Sequence, residues 1–210
     1  MTAGLASRHR THALVVIDVQ RGFDDASWGR RDNPDCEHNV HRLLNAWRTA
    51  DQPIVVVRHD SAEPHSPLRP GTPGNDLKPG VAGPRDVLIV KSGHSAFHGT
   101  PDLHRWCQRR GIDTLTLCGI TADHCCDTTA RFAAALGYRT RLCLDATHTF
   151  DRIDADGQVV TAEVLRQAVG ASLLGEFAEV LTTAEAVRRM SSPTGRRGRA
   201  GQPATRSPIR

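Results

Sequence analysis

Cys125 is the residue of this sequence best placed for covalent chemistry. It follows the apolar, strand-like run Leu115-Thr-Leu-Cys-Gly-Ile120, and the residues after it predict a helix. A thiol at a helix N-terminus lies at the positive end of the peptide dipole, which lowers its pKa and favours the nucleophilic thiolate. We therefore expect Cys125 to be an attacking nucleophile.

Two further polar residues end apolar runs: Asp18 closes Ala13–Asp18, and Lys91 closes Asp86–Lys91. In a parallel sheet the carboxyl ends of the strands share one edge, so these side chains should meet Cys125 there. The carboxylate could take the thiol proton, and the ammonium could stabilise the resulting anion. His124 and Cys126 adjoin Cys125, but consecutive helical residues point about 100° apart, so Asp18 remains the predicted base.

Apolar, β-branched runs alternate with amphipathic stretches, which predicts an α/β fold: a Rossmann-like three-layer α/β/α sandwich with a six-stranded, mainly parallel sheet. The predicted strands are Ala13–Asp18, Pro53–Arg58, Asp86–Lys91, Thr114–Gly119, Thr140–Leu144 and Ala178–Thr182. The predicted helices are Glu37–Ala50, Pro101–Arg110, Cys126–Leu136 and Thr161–Leu174. Thr100 should cap the second helix with Pro101 at its first position. The Pro- and Gly-rich segment 61–80 predicts a long loop bordering the site.

The 210 residues, 39% of them hydrophobic, predict one domain over residues 13–190, with an N-terminal extension at 1–12. Residues 191–210 predict a disordered basic tail, because they are rich in Ser, Gly, Pro and Arg. Without the five arginines of this tail, the 27 basic residues fall to 22, against 23 acidic ones. We therefore expect no nucleic-acid partner for the folded body, although an anion-binding role for the tail stays open.

The six cysteines form no C-x-x-C pair, and we expect free thiols. No run approaches the roughly 20 apolar residues that cross a membrane, and the first ten residues lack the apolar core of a secretion signal. A cytoplasmic protein with no membrane partner is the expectation.

Several ordered motifs resemble a known family. They are Asp18-x-Gln20 with Phe23, Lys91-x3-Ser95-Ala-Phe97, Gly111-Ile-Asp-Thr-Leu-Thr-Leu-Cys-Gly-Ile120, Cys125-x3-Thr129-Ala-Arg131 and Asp145-Ala146. Together they resemble the isochorismatase-like cysteine hydrolase superfamily, over about residues 13–187. The resemblance implies a catalytic triad of Asp18, Lys91 and Cys125. It also implies a cis peptide bond at Ile120–Thr121, and the backbone N–H groups of Thr121 and Cys125 are candidates for an oxyanion hole.

Isochorismatases proper lack the cysteine, so Cys125 favours hydrolysis of a C–N bond through a thioester. The segments Asp123-His-Cys-Cys126 and Asp145-Ala-Thr-His-Thr-Phe-Asp-Arg152 are similar to the branch that includes streptothricin hydrolase, which opens a cyclic amide. The resemblance thus implies a small-molecule amide or lactam substrate and a homodimer or homotetramer. Phe23, Trp28 and Phe97 could line the pocket, although core packing explains them equally well. His148 could lie at the pocket mouth, with an ordinary strand-to-helix loop as the alternative.

Nicotinamidases in this superfamily add a metal held by an Asp-x-His cluster. This chain offers only His59-Asp60, His65 and His94, so no cofactor is expected, with zinc or another divalent metal as the less favoured alternative. Two other functions stay open: a metal-assisted nicotinamidase-type amidase, and a non-catalytic small-molecule-binding or redox-sensing protein using Cys125 and Cys126.

Overall fold

Six runs of aliphatic and β-branched residues form the central sheet of the computed structural model, which describes residues 11–191. Numbered in chain order, the strands of this sheet are β1 (His12–Ile17), β2 (Ile54–His59), β3 (Val87–Lys91), β4 (Thr114–Ile120), β5 (Arg139–His148) and β8 (Glu179–Leu181). Their order is β3-β2-β1-β4-β5-β8, and every neighbouring pair is parallel. The predicted six-stranded α/β fold is confirmed, and β5 runs four residues past its predicted end at Leu144.

Helices cover both faces of the sheet because the strands bury side chains on both sides. The helices are α1 (Cys36–Thr49), α2 (Leu103–Arg109), α3 (Asp127–Ala135), α4 (Ala162–Leu173) and α5 (Thr183–Ser191). Leu14 and Val16 of β1 pack in one core with α1 and α5. Val15 and Ile17 pack in the other core with α2, α3 and α4. The result is the three-layer sandwich that the sequence predicts.

The start of α2 differs from the prediction. Thr100–Pro101 is a cis peptide bond outside the helix, which begins at Leu103. Asp102 is the cap, since its side chain accepts a hydrogen bond from the Arg105 N–H at 2.9 Å. A carboxylate at this position satisfies a free N–H of the first turn, whereas Thr100 lies two residues earlier, outside the helix.

Two elements were absent from the prediction, namely α5 and the antiparallel hairpin of β6 (Arg152–Ile153) and β7 (Val159–Val160). The predicted terminal segments lie outside the described residues, except at their inner ends. There, His12 already belongs to β1, and Ser191 closes α5. None of the described helices is both long enough and apolar enough to span a membrane.

Candidate active site

Asp18 is the first residue after β1 and is fully buried. Its φ of 52° turns the chain away from the strand direction, a conformation that aspartate tolerates better than most residues. The backbone N–H still donates to Val57 O at 3.0 Å, so Asp18 stays anchored to β2. One carboxylate oxygen, Oδ1, accepts no hydrogen bond of good geometry from residues 11–191.

Lys91 is the last residue of β3 and only 2% of it is exposed. Its Nζ donates to Asp18 Oδ2 at 2.6 Å and lies 3.3 Å from Cys125 Sγ. It also lies 3.1 Å from Gly93 O and 3.3 Å from His59 Nδ1. A single ammonium therefore joins the predicted base to the predicted nucleophile.

Cys125 lies in a wide π-helical turn, Ala122–Cys126, that leads from β4 into α3. The sequence predicted that Cys125 opens the helix; the turn begins three residues earlier and places Cys125 in its fourth position. The side chain is 7% exposed, whereas the neighbouring Cys126 is fully buried. His124 is half-exposed, with Nε2 3.6 Å from Asp123 Oδ2. Neither neighbour shares the position of Cys125 beside Lys91.

The strand order explains why these groups meet. The chain order along the sheet reverses between β1 and β4, and ligands of open α/β sheets bind at this switch point, outside the carboxyl ends of the strands. Asp18 follows β1 and Cys125 follows β4, so they flank the reversal. Lys91 reaches them from β3, two strands away. The predicted convergence of the three side chains is thus present in the structure.

The electrostatics differ from the prediction. Burial raises the pKa of the Cys125 thiol, and the negative charge of Asp18 raises it further, while Lys91 acts in the opposite direction and does not compensate. The expected lowering of the pKa of Cys125 is therefore wrong. Burial alone would lower the pKa of Lys91, but the negative charge and the hydrogen bond of Asp18 act in the opposite direction, and that pKa is raised. These directions keep the positive charge on Lys91 and favour the protonated form of the Cys125 thiol.

The peptide bond between Ile120 and Thr121 is cis, as the family resemblance implied. Thr121 precedes the turn that carries Cys125 and is 3% exposed. The backbone N–H groups of Thr121 and Cys125 both belong to the segment that joins β4 to α3.

An aromatic cluster is formed by residues that follow the carboxyl ends of β1 and β5. The ring centroid of Trp28 lies 5.1 Å from that of Phe23 and 5.5 Å from that of Phe150, and Phe23 and Phe150 stack at 6.2 Å. The Trp28 indole N–H donates to Gly22 O at 2.8 Å, which fixes the ring. Two of the predicted substrate contacts, Phe23 and Trp28, are thus brought together. Phe150 was overlooked, and its place directly after a strand end was the signal that could have identified it.

The other two predicted substrate contacts, Phe97 and His148, are engaged in packing contacts. Phe97 stacks on Tyr138 at 5.9 Å, against the core of α2, α3 and α4. His148 is fully buried and packs edge-on against Phe150, so it does not lie at a pocket mouth. The reason is the longer β5: the residue that was assigned to a loop is the last residue of a buried strand.

The candidate metal ligands are engaged in other contacts. Asp60 pairs with Arg58 at 2.8 Å and accepts from Asn75 at 3.0 Å, and His59 faces Lys91. Within residues 11–191, no group of three or more His, Cys, Asp or Glu side chains is arranged to hold a metal ion. The described residues therefore do not fit the metal site of a nicotinamidase.

Comparison with known proteins identifies the family. The family model described as the isochorismatase domain matches residues 12–185. The chain belongs to the isochorismatase family. Its relatives include the uncharacterized isochorismatase family protein YrdC of Bacillus subtilis, 36% identical over 81% of this chain and 91% of that protein. They also include a streptothricin hydrolase of Streptomyces noursei, 32% identical over 92% of this chain and 77% of that enzyme.

A solved isochorismatase-family structure from Chromobacterium violaceum is 36% identical, with a TM-score of 0.80, over 90% of this chain and 98% of that one. The described chain is therefore a hydrolase of the isochorismatase family. Asp18, Lys91 and Cys125 lie at the carboxyl ends of the strands, where open α/β sheets bind their ligands.

Proposed function

We propose that this isochorismatase-family hydrolase cleaves a C–N amide or lactam bond of a small molecule through a thioester on Cys125. One observation carries the proposal: Lys91 Nζ lies 2.6 Å from Asp18 Oδ2 and 3.3 Å from Cys125 Sγ, with all three side chains buried at the switch point. A base, a nucleophile and a cation held together in this way are what covalent acyl transfer needs.

In the first half of the proposed reaction, Asp18 Oδ1 takes the proton of the Cys125 thiol as the sulfur attacks the carbonyl carbon. Because the thiol pKa is raised, the attack depends on this proton transfer to Asp18. The tetrahedral oxyanion is held by the backbone N–H groups of Thr121 and Cys125. The C–N bond then breaks, and Asp18 returns the proton to the leaving nitrogen.

In the second half, water attacks the thioester and gives its proton to Asp18. The C–S bond breaks, the acid product leaves, and Asp18 reprotonates the sulfur. Lys91 stays charged throughout and stabilises whichever partner is anionic, the carboxylate or the thiolate. Every step uses the chain's own residues.

The substrate class is supported by the aromatic cluster and by the relatives. Phe23 and Trp28 follow β1, the strand that leads to Asp18, and flat apolar rings of this kind would suit a planar or cyclic substrate. A streptothricin hydrolase is among the relatives. We propose no metal in the reaction, because His59 and Asp60 are engaged by Lys91 and Arg58.

The experiment is a panel of small linear and cyclic amides, with detection of released ammonia or primary amine. Cys125→Ala should lower kcat by at least about a thousandfold without loss of the fold, because the nucleophile is removed. The matched control is Cys126→Ala, which removes the fully buried thiol of the following residue. The kcat of this variant should stay within a few-fold of the wild-type value. EDTA treatment should leave the rate unchanged.

A trapped acyl-enzyme, seen by mass spectrometry as a mass increase on the peptide carrying Cys125, would add direct support. Turnover by Cys125→Ala at the wild-type rate would reject the mechanism. Reversible oxidation of Cys125 with no hydrolysis of any amide would favour the redox-sensing alternative instead.

A further inference from the structure

The Lys91 ammonium has more hydrogen-bond acceptors around it than it has N–H groups. Its Nζ lies 2.6 Å from Asp18 Oδ2 and 3.1 Å from Gly93 O, while Cys125 Sγ and His59 Nδ1 both lie at 3.3 Å. An ammonium carries three N–H donors. The two nearer oxygens take two of them, so the sulfur and the imidazole compete for the third.

His59 is held beside Lys91 by its own backbone. The two residues are register partners at the ends of β2 and β3. Gln20 Oε1 accepts from His59 N–H at 2.8 Å, and Gln20 Nε2 donates to His59 O at 2.9 Å. Asn75 Nδ2 donates to the same oxygen at 3.0 Å. Gln20 is fully buried and Asn75 is 5% exposed, so their three hydrogen bonds hold the His59 backbone in place. The His59 ring is thereby positioned beside Lys91.

The surrounding charges keep the His59 ring neutral. Burial lowers the pKa of His59, and the charge of Lys91 lowers it further. His94, on the loop after β3, acts in the same direction, whereas Asp18 and Asp60 oppose it. Because an ammonium can only donate, the contact requires an unprotonated Nδ1 and a ring proton on Nε2.

The competition depends on the charge of the sulfur. A neutral thiol is a weak acceptor, whereas a neutral imidazole nitrogen is a good one, so His59 holds the third N–H while Cys125 is protonated. A thiolate accepts a charge-assisted hydrogen bond and outcompetes the imidazole. The 3.3 Å distances to both atoms allow the N–H to change partner without movement of the strands.

We propose that His59 is a positioning residue that holds the third N–H of Lys91 until the Cys125 thiolate forms. This inference rests on the proposed hydrolase mechanism. The thiol proton still passes to Asp18, no proton leaves Lys91 or His59, and only a hydrogen bond moves from nitrogen to sulfur. Thiolate formation therefore includes the loss of the contact between Lys91 and His59, and this loss favours the thiol form of Cys125.

The test is the pH profile of Cys125 alkylation by iodoacetamide, followed by mass spectrometry of the labelled peptide. His59→Leu removes the competing acceptor and should lower the alkylation midpoint by about half to one pH unit. Labelling below the midpoint then becomes about threefold to tenfold faster. His59→Asn places an amide oxygen near the position of Nδ1 and should restore a midpoint close to that of the wild type.

Two controls isolate the effect. Cys125→Ser should abolish the labelling, and His38→Leu, at an exposed position of α1, should leave the midpoint unchanged. An unchanged midpoint in His59→Leu, or an equal shift in His59→Leu and His59→Asn, would overturn the proposal. If His59→Leu does not fold, ¹⁵N NMR of the wild type decides: the His59 signal, assigned by its loss in His59→Asn, must show an unprotonated Nδ1.

The alkylation assay needs no turnover, so it separates the two proposals. A lower alkylation midpoint in His59→Leu, together with no hydrolysis of any amide by the wild type, would support the role of His59 and reject the hydrolase mechanism. Amide hydrolysis without a shift would reject the role of His59 alone.

Discussion

At the scale of single residues, the site is organised around a buried ion pair rather than around a preformed thiolate. Asp18 and Lys91 are both almost wholly buried, and breaking a buried pair leaves an uncompensated charge. The pair therefore keeps its two charges, and burial together with the Asp18 carboxylate keeps the Cys125 thiol protonated. The negative charge of Asp18 therefore disfavours the Cys125 thiolate. The same carboxylate is nevertheless the proposed acceptor of the thiol proton.

Asp18→Asn should consequently change two rates in opposite directions. The substitution keeps the side-chain shape and removes a negative charge that raises the pKa of Cys125, so alkylation of Cys125 at pH 8 should become faster. Amide hydrolysis should fall by about a hundredfold or more, because the general base is lost. Alkylation followed by mass spectrometry and an ammonia assay on the same preparations would measure both.

The matched control is Asp113→Asn, which removes an exposed carboxylate that lies near Arg139 and precedes β4, at the opposite end of that strand from Cys125. This variant should leave the alkylation rate of Cys125 close to that of the wild type. Wild-type hydrolysis by Asp18→Asn would mean that another group is the base.

At the scale of elements, the position of the triad depends on how closely β1 approaches β4. Gly119, near the end of β4, is the register partner of Ile17 and has a φ of 129°, which side-chain-bearing residues rarely adopt. A Cβ atom there would lie 2.0 Å from Ile17 O. Asp18 follows Ile17 directly, so this glycine lets the carboxylate and the turn of Cys125 lie side by side.

Gly119→Ala should destabilise the protein by about 3 kcal/mol, from backbone strain and from the clash with rigid backbone. Urea unfolding followed by circular dichroism would measure the change in the free energy of unfolding. Gly83→Ala is the matched control, because its added Cβ would meet the flexible end of the Arg48 side chain at 3.2 Å and backbone no closer than 3.9 Å. Equal stability of the two variants would contradict the close-approach argument.

The missed helix α5 shows what the sequence could have revealed at this scale. Thr182 and Glu185 form a reciprocal capping box: Thr182 N–H donates to Glu185 Oε2 at 2.8 Å, and Glu185 N–H donates to Thr182 Oγ1 at 3.2 Å. That T-x-x-E spacing is readable in the sequence. The hairpin of β6 and β7 has a turn signal, Asp156-Gly157, but each of its strands has only two residues, too few for a readable strand pattern.

At the scale of the whole molecule, the sequence was sufficient for the fold and for the convergence of the three polar side chains. Alternating strands and helices dictate a parallel sheet, and the carboxyl ends of parallel strands share an edge. The state of the thiol could not be predicted in the same way. It depends on the balance between burial, Asp18 and Lys91, and a pattern of residue types does not give the depth of burial. The same holds for His148, whose strand extends further than its pattern suggests.

Buried neutral histidines should make the stability of the whole chain sensitive to acid. Burial lowers the pKa of His12 and of His148 to about 3, with the charges of nearby arginines acting in the same direction. The unfolded chain binds these protons near pH 6.5, whereas the folded chain does not, so the free energy of unfolding falls as the pH drops below 6.5. Each histidine contributes a loss of about 2 kcal/mol between pH 7 and pH 5.

His148→Phe separates this contribution from the rest. Neither ring nitrogen of His148 makes a hydrogen bond of good geometry within the described chain, and the ring already packs on Phe150, so an apolar ring should keep the fold. Urea unfolding at pH 7 and pH 5 should show that the variant loses about 2 kcal/mol less than the wild type. The exposed His38→Phe should lose as much as the wild type. If His148→Phe shows the same pH dependence as the wild type, the folded protein must bind the His148 proton as readily as the unfolded chain does. A proton bound equally by both states does not change the free energy of unfolding with pH.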